Sequence, residues 1–201
     1  MTQKTLPKHL QQDARERLLN AALELFTQRG YSAASVREIC AAAGVTKPVL
    51  YYYFGSKEGL YLNMMDGAYS LFESRITQWI SLPGSVRQRL IYFCEGMFDT
   101  SIERLPIVRL MYSIYFGPPQ GAPAFDLDKF FDRMLKIICS LVEEGIRQGE
   151  LRQGNSNDMS WTVLSCLNTS IEEQLCHVEP RINRSTLTMM LNIIFDGMTA
   201  R

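Results

Sequence analysis

The 201-residue sequence predicts an all-α protein. Three observations carry that expectation. Apolar residues recur at spacings of three and four along most of the chain, β-branched alternation is scarce, and short breaks rich in glycine, proline and asparagine separate the apolar stripes. Together they predict about nine helices, with a small three-helix head over residues 1–57 and a larger helical body over residues 58–201.

The first helix is expected over about Asp13–Arg29, with Leu18, Ala22, Leu25 and Phe26 on its buried stripe. Gly30 ends it, because glycine takes the left-handed cap conformation without steric cost. Ser35 opens a second helix. Glu38 stands three residues on, so Ser35-Val36-Arg37-Glu38 is a capping box. That helix stops at Gly44. Thr46 is placed to cap a third, with Lys47 first and Pro48 second; proline is tolerated there because first-turn amides have no helical acceptor to lose. Gly55 closes it, and Ser56 caps a fourth helix that reaches to about Trp79. Later breaks fall at Pro83-Gly84, near Leu105-Pro106, across Gly117–Pro123, around Gly154–Asn157 and near Pro180. The helices between them are amphipathic, as in Phe130, Met134, Ile137, Ile138 and Leu141. No internal repeat or low-complexity segment interrupts them.

Composition narrows the class. Hydrophobic residues make up 46% of the chain, enough to bury a substantial core. No apolar run approaches the roughly 18 residues a membrane span needs. Met1–Gln12 is polar and unlike a signal peptide, so a cytoplasmic protein is expected. Cys40, Cys94, Cys139, Cys166 and Cys176 are scattered without C-x-x-C spacing, which predicts buried thiols rather than a metal site or a disulfide. Two histidines, no metal-spaced ligands, no Gly-rich phosphate loop and no Ser/His/Asp pattern argue against an enzyme, and no cofactor is expected. Net charge is zero but unevenly spread. Residues 1–57 hold eight Lys/Arg against four Asp/Glu, and the remainder holds thirteen against seventeen. A basic head on an acidic body suits a head that meets phosphate.

The segment from Ser35 to Phe54 holds two short helices joined by Ala43-Gly44-Val45, the plan of a helix-turn-helix. In that plan the second helix enters the major groove and presents its first side chains to base edges. Here those are Thr46, Lys47, Pro48 and Val49. Lys47 can reach a guanine edge or a phosphate, while Thr46, Val49 and the Pro48 ring can meet a thymine methyl. Tyr51, Tyr52 and Tyr53 cannot all be buried on one short helix, so at least one must point outward toward phosphate. Lys57 is a second phosphate candidate, and the helix starts at Ser35 and Ser56 offer backbone amides. Pro48 and Val49 cannot donate a side-chain hydrogen bond. Direct base reading on this helix then falls to Thr46 and Lys47, with DNA shape supplying the rest. His9 belongs to a tail expected to be solvated, an arm reaching DNA being the alternative. A plain protein-interaction module would leave the basic head and the 46–54 helix unexplained.

From about Arg15 to Leu60 the chain resembles the tetracycline-repressor (TetR) family of bacterial regulators. The likeness lies in Ala-x-x-Leu-Phe-x-x-x-Gly-Tyr ending the first helix, then Ser-Val-Arg-Glu-Ile-Cys-Ala-Ala-Ala-Gly-Val-Thr-Lys-Pro-Val-Leu-Tyr-Tyr-Tyr-Phe-Gly-Ser-Lys-Glu-Gly-Leu. It implies DNA contact at Ser35, Arg37, Thr46, Lys47, Pro48, Val49, Tyr51, Tyr52, Tyr53 and Lys57, with Arg37 facing the groove and sharing base reading with Thr46 and Lys47. It implies core positions at Phe26, Ile39, Ala42, Val45, Leu50 and Phe54. Simpler roles stand beside these: Ser35 as a cap alone, Arg37 as solvated surface, Tyr51 or Tyr53 packed on the first helix. The implied function is a sequence-specific DNA-binding transcription regulator, more often a repressor than an activator, released when a small, largely apolar or aromatic effector binds the C-terminal domain. An architectural or cell-division factor without an effector is the alternative.

One head makes too few contacts for tight specific binding, so a homodimer on a two-fold site of double-stranded DNA is expected. The resemblance implies dimerisation through the last two helices, about Asp158–His177 and Arg184–Met198. The interface candidates are Trp161, Leu164, Leu167, Ile171, Leu187, Met190, Leu191, Ile194 and Phe195; the other reading of these positions is an intramolecular core. The middle helices are where the resemblance puts a ligand pocket, with candidates Phe93, Met97, Met111, Tyr112, Tyr115, Phe131, Met134 and Glu172. Glu95, Asp99 and Glu172 are the carboxylates that a cationic ligand would need. No arginine cluster suggests a phosphate-bearing effector such as an acyl-CoA.

Overall fold

A computed structural model describes residues 8–198, with side chains from Ala14 onward. The side chain of His9 lies outside the described residues. Among them the order is α1 (Lys8–Arg29), α2 (Val36–Ala42), α3 (Lys47–Phe54), α4 (Lys57–Ile80), α5 (Val86–Glu103), α6 (Leu105–Tyr115), α7 (Asp128–Gln148), α8 (Ser156–Cys176) and α9 (Arg184–Met198). There are no strands of a sheet among the described residues, and every expected break separates two of these helices. The first helix begins before Asp13, at Lys8, because Lys8–Gln12 are competent helix formers with no glycine or proline among them.

Local chemistry explains the helix ends. Gly30 ends α1 at φ 81°, and its amide donates to the Phe26 carbonyl at 3.0 Å. The expected capping box opens α2. The Glu38 amide donates to the Ser35 hydroxyl oxygen at 3.2 Å, and the Ser35 amide donates to the Glu38 carboxylate at 2.9 Å. Thr46 takes the extended backbone of an N-cap, but its side chain accepts no capping bond. With proline in the second helical position, one of the first-turn amides that a cap would serve is missing. Ser56 accepts from the Gly59 amide at 2.9 Å and starts α4. A second box, Ser85 with Gln88, starts α5.

The chain divides into two compact units. One runs to Ser70 and takes in Pro106–Phe125; the other comprises Leu71–Leu105 and the residues from Asp126 onward. In the first, α1, α2 and α3 pack on one another. Leu18, Ala22, Phe26, Ile39 and Leu50 are buried there, with Leu60 and Tyr61 from the start of α4. Ala42, expected in this core, is exposed, and Ala43 is buried instead. Ala43 stands four residues after the buried Ile39 and three after the buried Cys40, on the same face of the helix. Val45 is half-buried.

In the second unit α5, α7, α8 and α9 pack together. The predicted face of α7 is the buried one, from Phe130 to Leu141. Phe72 at the end of α4 meets the Phe130 ring at 5.2 Å. Trp79 lies so close over Gly96 that a Cβ there would fall 2.3 Å from the indole. Ion pairs tie the outer edges: Arg87 to Asp196 at 2.7 Å and Arg89 to Glu144 at 2.8 Å. Among the described residues no helix is long and apolar enough to cross a membrane.

Candidate nucleic-acid interface

The third helix has two chemically different faces. Leu50 and Phe54, four residues apart, are buried against α1 and α2. On the other side Thr46, Lys47 and Pro48 are exposed, Tyr51 is 49% exposed and Tyr52 is 74% exposed. Val49 and Tyr53 are half-buried at the margins. Tyr53 lies between its neighbours, edge-on to Tyr52 at 5.0 Å and tilted to Phe54 at 6.2 Å. An exposed tyrosine held by ring contacts offers its hydroxyl at little entropic cost, which suits a phosphate oxygen. Arg37 is also exposed, on α2.

Two of the candidate contacts have partners inside the fold. Both Ser35 donors go to Glu38: the amide at 2.9 Å and the hydroxyl at 2.6 Å. Ser35 therefore acts as a cap here, and a carboxylate stands where a phosphate would otherwise be received. That hydrogen bonding, with lesser help from Arg29 and Arg37, holds the Glu38 carboxyl below its ordinary range. Lys57 places its ammonium 4.1 Å from the centre of the Tyr31 ring. Burial pushes the Lys57 ammonium pKa down. Tyr31 is edge-on to the buried Tyr61 at 5.3 Å and tilted to Phe26 at 5.2 Å. Desolvation, with Tyr31 nearby, raises the Tyr61 phenol to about 12. Tyr31 was not among the site residues that the sequence suggested, although it is the last residue of the Gly-Tyr pair in the first helix's signature. Arg15 also braces this region, donating to Asn63 at 2.6 Å and lying 5.6 Å over Phe54.

The body candidates sort differently. Leu164, Leu167, Ile171, Leu187, Leu191 and Phe195, expected on a dimer interface, are all buried within the single chain. Their apolar stripe is taken up by α5, α7, α8 and α9 packing on one another. Met190 and Ile194 are half-buried, and Trp161 is 48% exposed. The large apolar side chains that α9 turns outward are Met189 and Ile193, 56% and 74% exposed.

The pocket candidates divide between the two units. Phe93, Met97 and Met134 are buried and Phe131 half-buried in the second, whereas Met111, Tyr112 and Tyr115 belong to the first. Glu172 is exposed, and its neighbour Glu173 is the carboxylate turned inward. One residue along a helix is about 100° of rotation, enough to exchange the two faces. Glu173 receives Arg181 at 2.7 and 2.9 Å, and these bonds hold its carboxyl down to about 2. Glu95 and Asp99 already have a cation: Arg184 on α9 donates to Glu95 at 2.8 Å and also to Asp99. Thr188 adds its hydroxyl to Glu95. These carboxylates thus join α5 to α9 rather than wait for a cationic ligand. Burial nonetheless raises the Asp99 carboxyl, against the pull of Arg184.

Comparison with known proteins agrees with this geometry. Residues 18–64 match the family model described as bacterial regulatory proteins, tetR family. Over 87 residues the chain is 42% identical to the HTH-type transcriptional activator FasR of Mycolicibacterium smegmatis, covering 43% of this chain and 40% of that protein. It is 24% identical to the HTH-type transcriptional repressor DhaR of Mycobacterium sp. strain GP1, over 92% of this chain and 91% of that one. The first match therefore spans less than half of its relative, and the second nearly all. Among solved structures, the TetR family transcriptional regulator PfmR from Thermus thermophilus superposes with a TM-score of 0.72 at 25% identity, over 93% of this chain and 98% of that chain. The ketosteroid transcriptional regulator KstR2 of Mycobacterium tuberculosis shares the fold, with a TM-score of 0.72 at 19% identity over 93% of this chain and 95% of that chain. Residues 18–64, which contain the helix-turn-helix, belong to the tetR family of bacterial regulatory proteins, and 93% of the chain follows the fold of a solved TetR family regulator.

Proposed function

We propose that this protein is a sequence-specific DNA-binding transcription regulator that acts as a homodimer on a two-fold operator. The observation that carries the reading is the outward face of α3. Thr46, Lys47, Pro48, Tyr51 and Tyr52 stand exposed on a helix that Leu50 and Phe54 anchor from behind. Such a face presents a cation, methyl groups and phenols to a groove without disturbing its own support. Residues 1–57 form the DNA-binding domain in this reading, and residues 58–201 bind the effector and the partner. Trp161, Met189 and Ile193, left exposed on α8 and α9, supply the apolar surface for a second copy.

Repression is the proposed mode. The relative named a repressor matches over 92% of this chain, whereas the one named an activator matches over 43%. The proposed effector is small and largely apolar or aromatic, because Phe93, Met97 and Met134 line the interior of the body while its carboxylates Glu95 and Asp99 are satisfied by Arg184. The helix α4 is continuous from Lys57 to Ile80 and has residues in both compact units. An effector that binds better when the two heads are out of register would shift the population through that helix. Such a protein works in the bacterial cytoplasm.

Selection of bound sequences from a random duplex pool by the purified protein tests the reading. A two-fold motif is expected. Binding without sequence preference at physiological salt would contradict it.

A further inference from the structure

The segment after α6 is remote in sequence from the helix-turn-helix yet packs on it. Residues 116–127 carry no regular structure, and Pro106–Phe125 belong to the compact unit that holds α1, α2 and α3. The Gln120 backbone carbonyl accepts two bonds from the turn between α1 and α2. One comes from the Ser32 amide at 3.2 Å and the other from the Ser32 hydroxyl. The Gln120 side chain donates to the Ser113 carbonyl of α6 at 3.2 Å, so the loop is held from both sides. Close approach depends on Gly121, at φ +63°, where a Cβ would fall 2.5 Å from the Ser32 hydroxyl.

Tyr31 precedes Ser32 in the same turn, and its ring is the seat of the Lys57 ammonium at 4.1 Å. We propose that the 116–127 loop is a latch: Gln120 holds the α1–α2 turn, the turn holds the Tyr31 ring, and the ring presents Lys57 to a DNA phosphate. Gln120, Ser32 and Tyr31 are then positioning residues for DNA binding, and the inference rests on the DNA-binding reading above. The latch gives a segment well beyond residue 57 a direct hold on a phosphate contact. It is also suited to opening. The Gln120 Oε1 atom is buried without a hydrogen-bond partner, so docking leaves one acceptor dehydrated and release returns it to water. Desolvation of Lys57 by its seat acts in the same direction.

Three variants test this against wild type on a duplex that the wild type has selected from a random pool: Gly121→Ala, whose Cβ would fall 2.5 Å from the Ser32 hydroxyl, Tyr31→Leu and Tyr31→Phe. Gly121→Ala and Tyr31→Leu should each weaken binding about three- to tenfold near physiological salt, and lower the slope of log affinity against log salt by about 0.9, the signature of one lost phosphate contact. Tyr31→Phe keeps an aromatic face for the cation and should bind like wild type, in affinity and slope. Hydrogen exchange supplies a readout without DNA: the Ser32 amide should exchange faster in Gly121→Ala while amides in the middle of α1 do not change. Unchanged exchange at Ser32, or faster exchange with an unchanged salt slope, would overturn the latch and leave the DNA-binding reading intact. Impairment of Tyr31→Phe equal to that of Tyr31→Leu would do the same. A wild-type protein that selects no duplex would instead overturn the DNA-binding reading itself.

Discussion

The pair α2–α3 and the pair α8–α9 both carry predicted contact surfaces, and the two sets of residues are placed differently. On α3 most of the residues suggested as contacts stand outside: Lys47, Pro48, Tyr51 and Tyr52 are exposed, Val49 and Tyr53 are half-buried, and Leu50 and Phe54 are inside. On α8 and α9 most of the residues suggested as contacts are inside. Leu164, Leu167 and Leu191 are buried in the chain's own core, and Ile193 is left exposed. The difference is chemical. A surface that meets DNA uses lysine and tyrosine, which a core rejects, so pattern and chemistry separate the two faces of α3. A surface that meets another copy uses the same leucine, isoleucine and methionine as the core. On α9 apolar periodicity finds the core face first and says nothing of which outer residues a partner would cover.

Paired substitutions on the two regions put that contrast at risk. The largest effect is expected from the inward residues. Leu50→Ala and Leu191→Ala should each cost about 2–5 kcal/mol in denaturant unfolding, because both leave a cavity where the native side chain is fully buried. Tyr52→Ala, on the outer face of α3, should change stability by no more than about 0.5 kcal/mol. Equal losses for Leu50→Ala and Tyr52→Ala would erase the two-faced picture of α3.

Next in size is the outer face of α9. Ile193→Arg places a charge on a residue that is 74% exposed in the single chain. The helix content should stay while the mass measured by sedimentation falls from dimer to monomer. A dimer of undiminished strength would move the interface away from α9.

A smaller effect separates cap from contact at Ser35. Ser35→Ala removes the hydroxyl that receives the Glu38 amide and should cost about 1 kcal/mol of stability. Its salt slope for DNA binding should stay that of wild type, since both Ser35 donors already serve Glu38. A slope lowered by about 0.9 would restore Ser35 as a phosphate contact.

The smallest effect concerns acid stability in the body. Arg181 holds the Glu173 carboxyl down to about 2, below the ordinary 4.5. A carboxyl depressed in the folded state contributes stability that is fully present above its unfolded pKa and is lost as pH falls through its folded one. The difference in unfolding midpoint between wild type and Arg181→Ala should therefore be constant above about pH 5 and shrink toward pH 2. A difference independent of pH across that window would mean that Arg181 acts by packing alone.

Much of the fold is legible in the sequence because single residues mark its boundaries. Gly30 after Arg29, Ser35 three residues before Glu38, and Pro83-Gly84 between α4 and α5 are local signals, and the structure ends and starts helices there. The start of α1 carries no such mark and lies earlier than expected. Features decided by rotation about a helix are less legible. Ala42 and Ala43, or Glu172 and Glu173, are adjacent and chemically alike, and only tertiary packing decides which one faces inward. Contacts between distant segments are not legible at all. Ser32 and Gln120 meet across a separation of 88 residues, and neither is unusual in its own neighbourhood. The same holds for Arg184 with Glu95, which fills from within a carboxylate that sequence alone would offer to a ligand.

The central claim is that the outer face of α3 is the surface that meets DNA, and Lys47 tests it most directly. Lys47 is exposed, so its removal should leave the fold unchanged. Binding of Lys47→Ala to the selected duplex, measured across a series of salt concentrations, should be weaker than that of wild type. Its salt slope should be lower by about 0.9, while Val49→Ala keeps the slope and alters sequence preference. If both variants matched wild type in affinity, slope and preference, α3 would not be the reading helix.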